Sequence, residues 1–105
     1  LVMGLTFKEN CPDIRNSQVP VIIDRLADKG ANVSVYDPYV DKEIVLDENI
    51  SISLINKLDK YDGIIIAVAH DEFKNINFDN LKKDLKSVIF DVKGILDKSK
   101  SDSRL

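Results

Sequence analysis

"IIIAVA", residues 64–69, decides the fold. Six apolar residues follow one another with no polar residue between them. A strand with one wet face would alternate; an unbroken run of this length suits a strand buried on both faces of a parallel sheet. The longest apolar run, Gly63 to Ala69, is far short of the roughly 18 residues that would suggest a membrane span.

Three more stretches read as strands of the same sheet: 1–7 (LVMGLTF), 32–36 (NVSVY) and 87–92 (SVIFDV). Between the first two, Val19, Ile22, Ile23 and Leu26 recur at helical spacing, with Asp24, Arg25, Asp28 and Lys29 facing away. Ser17 is placed to cap this helix, Pro20 falls in its first turn, and Gly30 suits its left-handed C-terminal position. Residues 38–50 read as irregular and acidic. Residues 50–53 suit a short strand, and Leu54, Ile55 and Leu58 a short helix ending near Lys60. A further helix is expected over 79–86 with Asp79 as its cap, and a polar tail from Asp97. Strands alternating with helices imply one α/β domain, a three-layer parallel sheet of Rossmann-like kind with flavodoxin-like strand order.

The totals fit this picture. The chain has 105 residues, 44% hydrophobic and 31% charged, a globular balance in a length that is one domain. It is too short for most complete two-substrate enzymes. A net charge of −3 argues against nucleic acid, which needs a concentrated positive field. Residues 1–70 carry seven Lys/Arg against eleven Asp/Glu, and residues 71–105 eight against seven, an asymmetry too small to name a partner. One cysteine makes no internal disulfide and fits a reducing cytoplasm. The opening Leu1-Val2 already lies in an apolar strand, which reads as a piece of something longer.

Parallel sheets bind ligands at the carboxyl ends of their strands. Those ends are Phe7-Lys8, Tyr36-Asp37, Ala69-His70 and Asp91-Lys93. Lys8 and Lys93 each follow an apolar strand directly. They are either two solvated lysines or two ammonium groups converging on a phosphorylated ligand. Arg15 precedes the helix cap, where anions bind, or else pairs with Asp13 or Glu9. Cys11 lacks the positive setting that activates a thiol, and Glu9 and Asp13 beside it work the other way. His70, the sole histidine, has no zinc-ligand company in the sequence. No catalytic residue and no metal ligand is assigned. The first βα turn has no G-x-G-x-x-G, so the dinucleotide fingerprint is absent, and so is a Walker-type loop.

Four blocks take the reading further: "GLTFKENCPDIRNS" (4–17), "VYDP" (35–38), "DGIIIAVAHDEF" (62–73) and "IFDVKGILD" (89–97). In this order they resemble the C-terminal, UDP-binding domain of the UDP-glucose/GDP-mannose dehydrogenase family. The wording of the first block is similar to the branch that oxidises UDP-N-acetylhexosamines. The resemblance implies an NAD-dependent UDP-sugar 6-dehydrogenase, which converts the sugar C6 hydroxyl to a carboxylate for surface polysaccharides such as capsule. It implies that residues 1–105 are the domain closing over the nucleotide end of the UDP-sugar. The enzyme's own N-terminal and middle domains, absent here, would hold NAD and the catalytic cysteine, so these residues alone would be inactive. By the same resemblance Phe7 and Lys8 contact the UDP-sugar and Lys93 offers it a basic group. Arg15 reaches the NAD phosphates, and the whole enzyme is a cytoplasmic homo-oligomer with no nucleic-acid or membrane partner. Lysine at 93, where the family often has arginine, keeps the charge but lacks the planar fork. A competing class is a stand-alone receiver-like regulatory module, with Asp37 as phosphoacceptor. Receivers, however, cluster acids after the first strand, where this chain has Lys8-Glu9.

Overall fold

The computed structural model describes residues 1–48, 50–96 and 101–104. Its strands are short: β1 (Val2–Met3), β2 (Val35–Tyr36), β3 (Leu54–Ile55), β4 (Gly63–Ile66), β5 (Val88–Asp91) and β6 (Ser103–Arg104). All pair in parallel, in the order β3-β2-β1-β4-β5-β6. The four strands expected from sequence therefore stand 2-1-3-4, as in flavodoxin-like sheets. The two-residue edges β3 and β6 complete the Rossmann-like order 3-2-1-4-5-6. Val2 lies opposite both Val35 and Ile65, which makes β1 and β4 the centre of the sheet.

Each face carries its own core. On one side Val2, Leu5, Val35 and Ala67 pack with Ile14, Val19 and Ile23, beneath helix α1 (Val19–Asp28) and the Val45 side of helix α2 (Lys42–Asp47). On the other, Met3, Ile64, Ile66 and Ile89 pack with Phe73, Phe78 and Leu81. Those three come from two short 3-10 turns, Asp71–Asn75 and Phe78–Leu81. Alternate residues of the central strands thus point to opposite cores, giving three layers. No helix among the described residues is long and apolar enough to cross a membrane.

Helix α1 has the expected stripe and the expected proline in its first turn. Its N-cap is Gln18 rather than Ser17, and the Ser17 hydroxyl accepts the Val19 N–H at 3.2 Å. It ends at Gly30, whose φ of 94° lets its own N–H reach Ala27 O and lets Ala31 N–H reach Leu26 O.

Four further expectations are corrected. The acidic 38–50 stretch contains helix α2, capped by Asp41, whose carboxylate accepts the Ile44 N–H at 3.0 Å. Only Val45 of it is buried, so no apolar stripe announces it. Leu54 and Ile55 form edge strand β3 rather than a helix, drawn against β2 by Val35 N–H donating to Ser53 O. The 79–86 helix is one 3-10 turn ending at Leu81, capped by Asn77. Beyond it Leu85 is fully exposed and nothing apolar remains to dock a helix. Of the polar tail, residues 97–100 and 105 lie outside the described residues, while Ser103–Arg104 pair with β5.

Gly4 shapes the exit of the chain from β1. Its φ is 98°, and a Cβ built there would lie 2.5 Å from Val68 Cβ. The chain passes β4's continuation too closely for any side chain and turns there. Formal pairing of β1 stops at Met3, although Leu5 and Thr6 stay buried.

Candidate functional site

Between β1 and β4 the order of the sheet reverses, and outside their carboxyl ends lies a crevice of about 320 Å³. Four segments build it. Thr6–Glu9 come from the loop after β1, Asn16–Val19 from the start of α1, Ala67 and Val68 follow β4, and Val92 and Lys93 follow β5. Phe7, Lys8 and Lys93, which the sequence singles out separately, therefore line one hollow. Phe7 is 57% exposed, an apolar ring held in solvent at the rim. Among the described residues none pairs with the Lys8 or Lys93 ammonium. Two unpaired cations over one concavity are suited to an anionic ligand.

Arg15 is not part of that lining. Asp13 holds its guanidinium in a fork, Nε to Oδ1 at 3.0 Å and Nη2 to Oδ2 at 2.9 Å, and Arg15 N–H donates to Oδ1 as well. Of the two acids beside it in sequence, Arg15 thus takes Asp13. The hydrogen bonds from Arg15 hold the Asp13 carboxyl below the usual carboxylate range. Both groups face solvent, so the pair adds little to folding.

Beneath the lysines lies a buried polar framework that sequence reasoning missed. Asp37, 3% exposed at the end of β2, accepts Leu5 N–H at 2.7 Å and Thr6 N–H at 3.3 Å through Oδ2, and Tyr39 N–H at 2.8 Å through Oδ1. His70, fully buried, sits 2.9 Å from Asp37 Oδ2 through Nε2 and 3.2 Å from Thr6 Oγ1. Its Nδ1 accepts Asn10 N–H at 2.8 Å. An Nδ1 that accepts carries no proton, so the imidazole is the Nε2–H tautomer, donating toward Asp37 and Thr6. With Nδ1 taken by Asn10 N–H, His70 is not available as a base for Cys11. Asp37, with both oxygens occupied and almost no exposure, is poorly placed as a phosphoacceptor.

The Lys93 side is braced more simply. Asp91, fully buried at the end of β5, accepts Gly94 N–H at 2.8 Å and Leu96 N–H at 2.9 Å. The signal for both frameworks was present as an acid or histidine ending each strand, but which ends meet depends on register. A larger hollow of about 850 Å³ lies between β2, β3 and α2. There Lys42 and Lys57 face Asp37, Asp41 and Glu43, so no single charge prevails. Among the described residues no group of three or more His, Cys, Asp or Glu could hold a metal ion.

The sequence profile of the UDP-glucose/GDP-mannose dehydrogenase family, UDP binding domain, matches residues 1–98. A UDP-N-acetyl-D-glucosamine 6-dehydrogenase of Pseudomonas aeruginosa is 48% identical over 108 residues, covering 100% of this chain and 26% of its own. Protein CapL of Staphylococcus aureus is 41% identical over 99 residues, covering 90% of this chain and 23% of its own. The solved UDP-N-acetyl-mannosamine dehydrogenase Cap5O from S. aureus superposes with a TM-score of 0.73 at 27% identity, covering 98% of this chain and 24% of that one. A UDP-glucose dehydrogenase from Pyrobaculum islandicum, 24% identical, shares the fold with a TM-score of 0.75 over 98% of this chain and 23% of its own. The chain spans about a quarter of the length of these relatives. A parallel sheet with two lysines over its switch point, matched by that profile along nearly its whole length, belongs to the UDP-glucose/GDP-mannose dehydrogenase family as its UDP-binding domain.

Proposed function

We propose that this domain serves an NAD-dependent UDP-sugar 6-dehydrogenase acting on a UDP-N-acetylhexosamine or UDP-hexose. It grips the UDP end of the substrate and closes the cleft of the longer enzyme. The observation that carries this reading is the convergence of Lys8 and Lys93 on one crevice at the switch point, with no protein carboxylate paired to either among the described residues. Lys8 and Lys93 neutralise the diphosphate, and the exposed Phe7 ring lies against the substrate at the rim. Binding energy gathered at this non-reacting end holds the sugar in place for oxidation of its C6 hydroxyl to a carboxylate.

The residues present do not make a site for NAD by themselves. After β1 comes a single glycine, Gly4, and the N–H groups of Gly4, Leu5 and Thr6 are taken by Tyr36 O and the Asp37 carboxylate rather than aimed at a pyrophosphate. NAD is then held mainly by the parts of the enzyme beyond this chain, with Arg15 reaching its phosphates across the cleft. The catalytic cysteine also lies there, the 105 residues alone are inactive, and the whole enzyme is a cytoplasmic homo-oligomer supplying uronic acid for surface polysaccharide. Relatives named for UDP-N-acetylglucosamine and UDP-N-acetylmannosamine support the hexosamine branch.

The test is titration of UDP into the ¹⁵N-labelled chain. Amide shifts confined to Thr6–Glu9, Ser17–Val19 and Val92–Lys93 are expected, with uridine alone much weaker. No response up to ~10 mM UDP, a limit near 3 kcal/mol of binding, would overturn the assignment.

A further inference from the structure

Resting on the assignment of Lys8 to the nucleotide, we propose that His70 is a positioning residue: one neutral imidazole fastens the backbone on both sides of Lys8 and so sets where its ammonium stands in the crevice.

The Lys8 ammonium has no partner among the described residues, so only its main chain dictates its place. Besides Phe7 N–H, which donates to Asp13 O at 2.7 Å, that main chain is tied at two points that lead to His70. On the near side, the Thr6 hydroxyl donates to Lys8 O at 2.9 Å. The hydroxyl oxygen is left to accept, and the group that reaches it is His70 Nε2–H at 3.2 Å. Two residues on, Asn10 N–H donates to His70 Nδ1 at 2.8 Å. Lys8 O and Asn10 N–H, the two polar groups bracketing Glu9, therefore both lead to one ring.

The ring is fixed in turn. Asp37 Oδ2 holds Nε2–H at 2.9 Å, Tyr39 lies against it with centroids 4.5 Å apart, and Phe73 meets it edge-on at 5.2 Å. Asn10 has a φ of 58°, a left-handed turn that asparagine tolerates, and its side-chain oxygen accepts Asp71 N–H at 2.9 Å. The chain thus reverses at the residue whose N–H meets the imidazole.

Both nitrogens of a buried neutral imidazole need partners, and here the segment that carries Lys8 supplies one outright and shares the other. Nδ1 goes to Asn10 N–H alone, and Nε2–H, held by Asp37, also reaches the Thr6 hydroxyl. Losing that hold would leave the core largely packed while the ammonium explores more positions, weakening an electrostatic contact that depends on distance.

The experiment is a set of double-mutant cycles on UDP affinity, with folding followed by near-ultraviolet circular dichroism. Lys8→Ala is expected to weaken UDP about tenfold, as for loss of one hydrogen bond from a charged donor. His70→Gln and Thr6→Val should each weaken it in the wild-type background, and in the Lys8→Ala background they should cost nothing further. Against Lys93→Ala their loss should persist in full. Thr6→Val keeps the shape and severs only the link from His70 to Lys8 O, so it carries the cycle if His70→Gln does not fold. The long-range ¹H–¹⁵N spectrum of the wild type should show an unprotonated Nδ1 and a protonated Nε2. Equal losses with and without Lys8, or a protonated Nδ1, would overturn the inference while leaving Lys8 as a nucleotide contact. An unchanged affinity in Lys8→Ala itself would sink the nucleotide reading, and this inference with it.

Discussion

The two lysines of the crevice are held in opposite ways. Lys8 rides on a long loop fastened by residues distant in sequence: Asp37 after β2, and His70 after β4. Lys93 rides on the tight turn after β5, held by Asp91, the last residue of that strand. One cation is located by tertiary structure and the other by local structure. The first should be lost when distant elements loosen, whereas the second should survive as long as β5 does.

The harshest way to break the comparison is Asp37→Ala. It strips acceptors from Leu5, Thr6 and Tyr39 N–H and from His70 at once, inside the core. A loss of about 3–5 kcal/mol is expected in urea unfolding, enough to leave a domain of this size marginal. Asp91→Ala removes two acceptors beside a half-buried turn and should cost about 2 kcal/mol. Its amide shift changes should stay near residues 89–96, while those of milder Asp37→Asn should spread to 5–10, 39 and 70. Changes of equal reach would erase the distinction between the two lysines.

Next come the cations themselves. Lys8→Ala and Lys93→Ala should each weaken UDP about tenfold at unchanged urea midpoints, and the loss should shrink as salt rises. Arg15→Ala should leave the midpoint and UDP affinity alone and raise the NAD concentration needed for half-maximal turnover in the longer enzyme. The sign of its pH dependence comes from Asp13. Its carboxyl is depressed in the folded state by Arg15, so the pair's contribution is present at neutral pH and fades as pH falls through the depressed value. Both groups are exposed, so the variant should differ from the wild type only slightly at neutral pH, and the two pH–stability curves should converge below that point. Smallest of all, Cys11→Ser should leave turnover intact.

The same contrast separates the features that were legible in the sequence from those that were not. Apolar runs such as 64–66 mark strands because burial on both faces leaves no room for alternation, and they gave the sheet and its class. The charges at strand ends were legible too, since Lys8 and Lys93 each stand next to an apolar run. What was hidden is whatever depends on two distant segments meeting. Asp37 and His70 lie 33 positions apart and touch only because β2 and β4 both flank β1. Helix α2 was hidden for another reason: with only Val45 buried, its stability comes from a cap and a neighbour rather than from a stripe. Arg15 was left between two partners, and the fork with Asp13 is a choice of side-chain rotamer that no pattern encodes.

β1 and β5 are not neighbours; β4 stands between them. The strands that lead to Lys8 and Lys93 are therefore set apart by two strand spacings, about 9.5 Å. That interval is a property of backbone hydrogen bonding, which side-chain substitution hardly alters. β4 thus works as a gauge block between the two strands. Whatever changes the width of the jaw must act through the loop from Gly4 to Lys8, because the sheet beneath it holds its spacing.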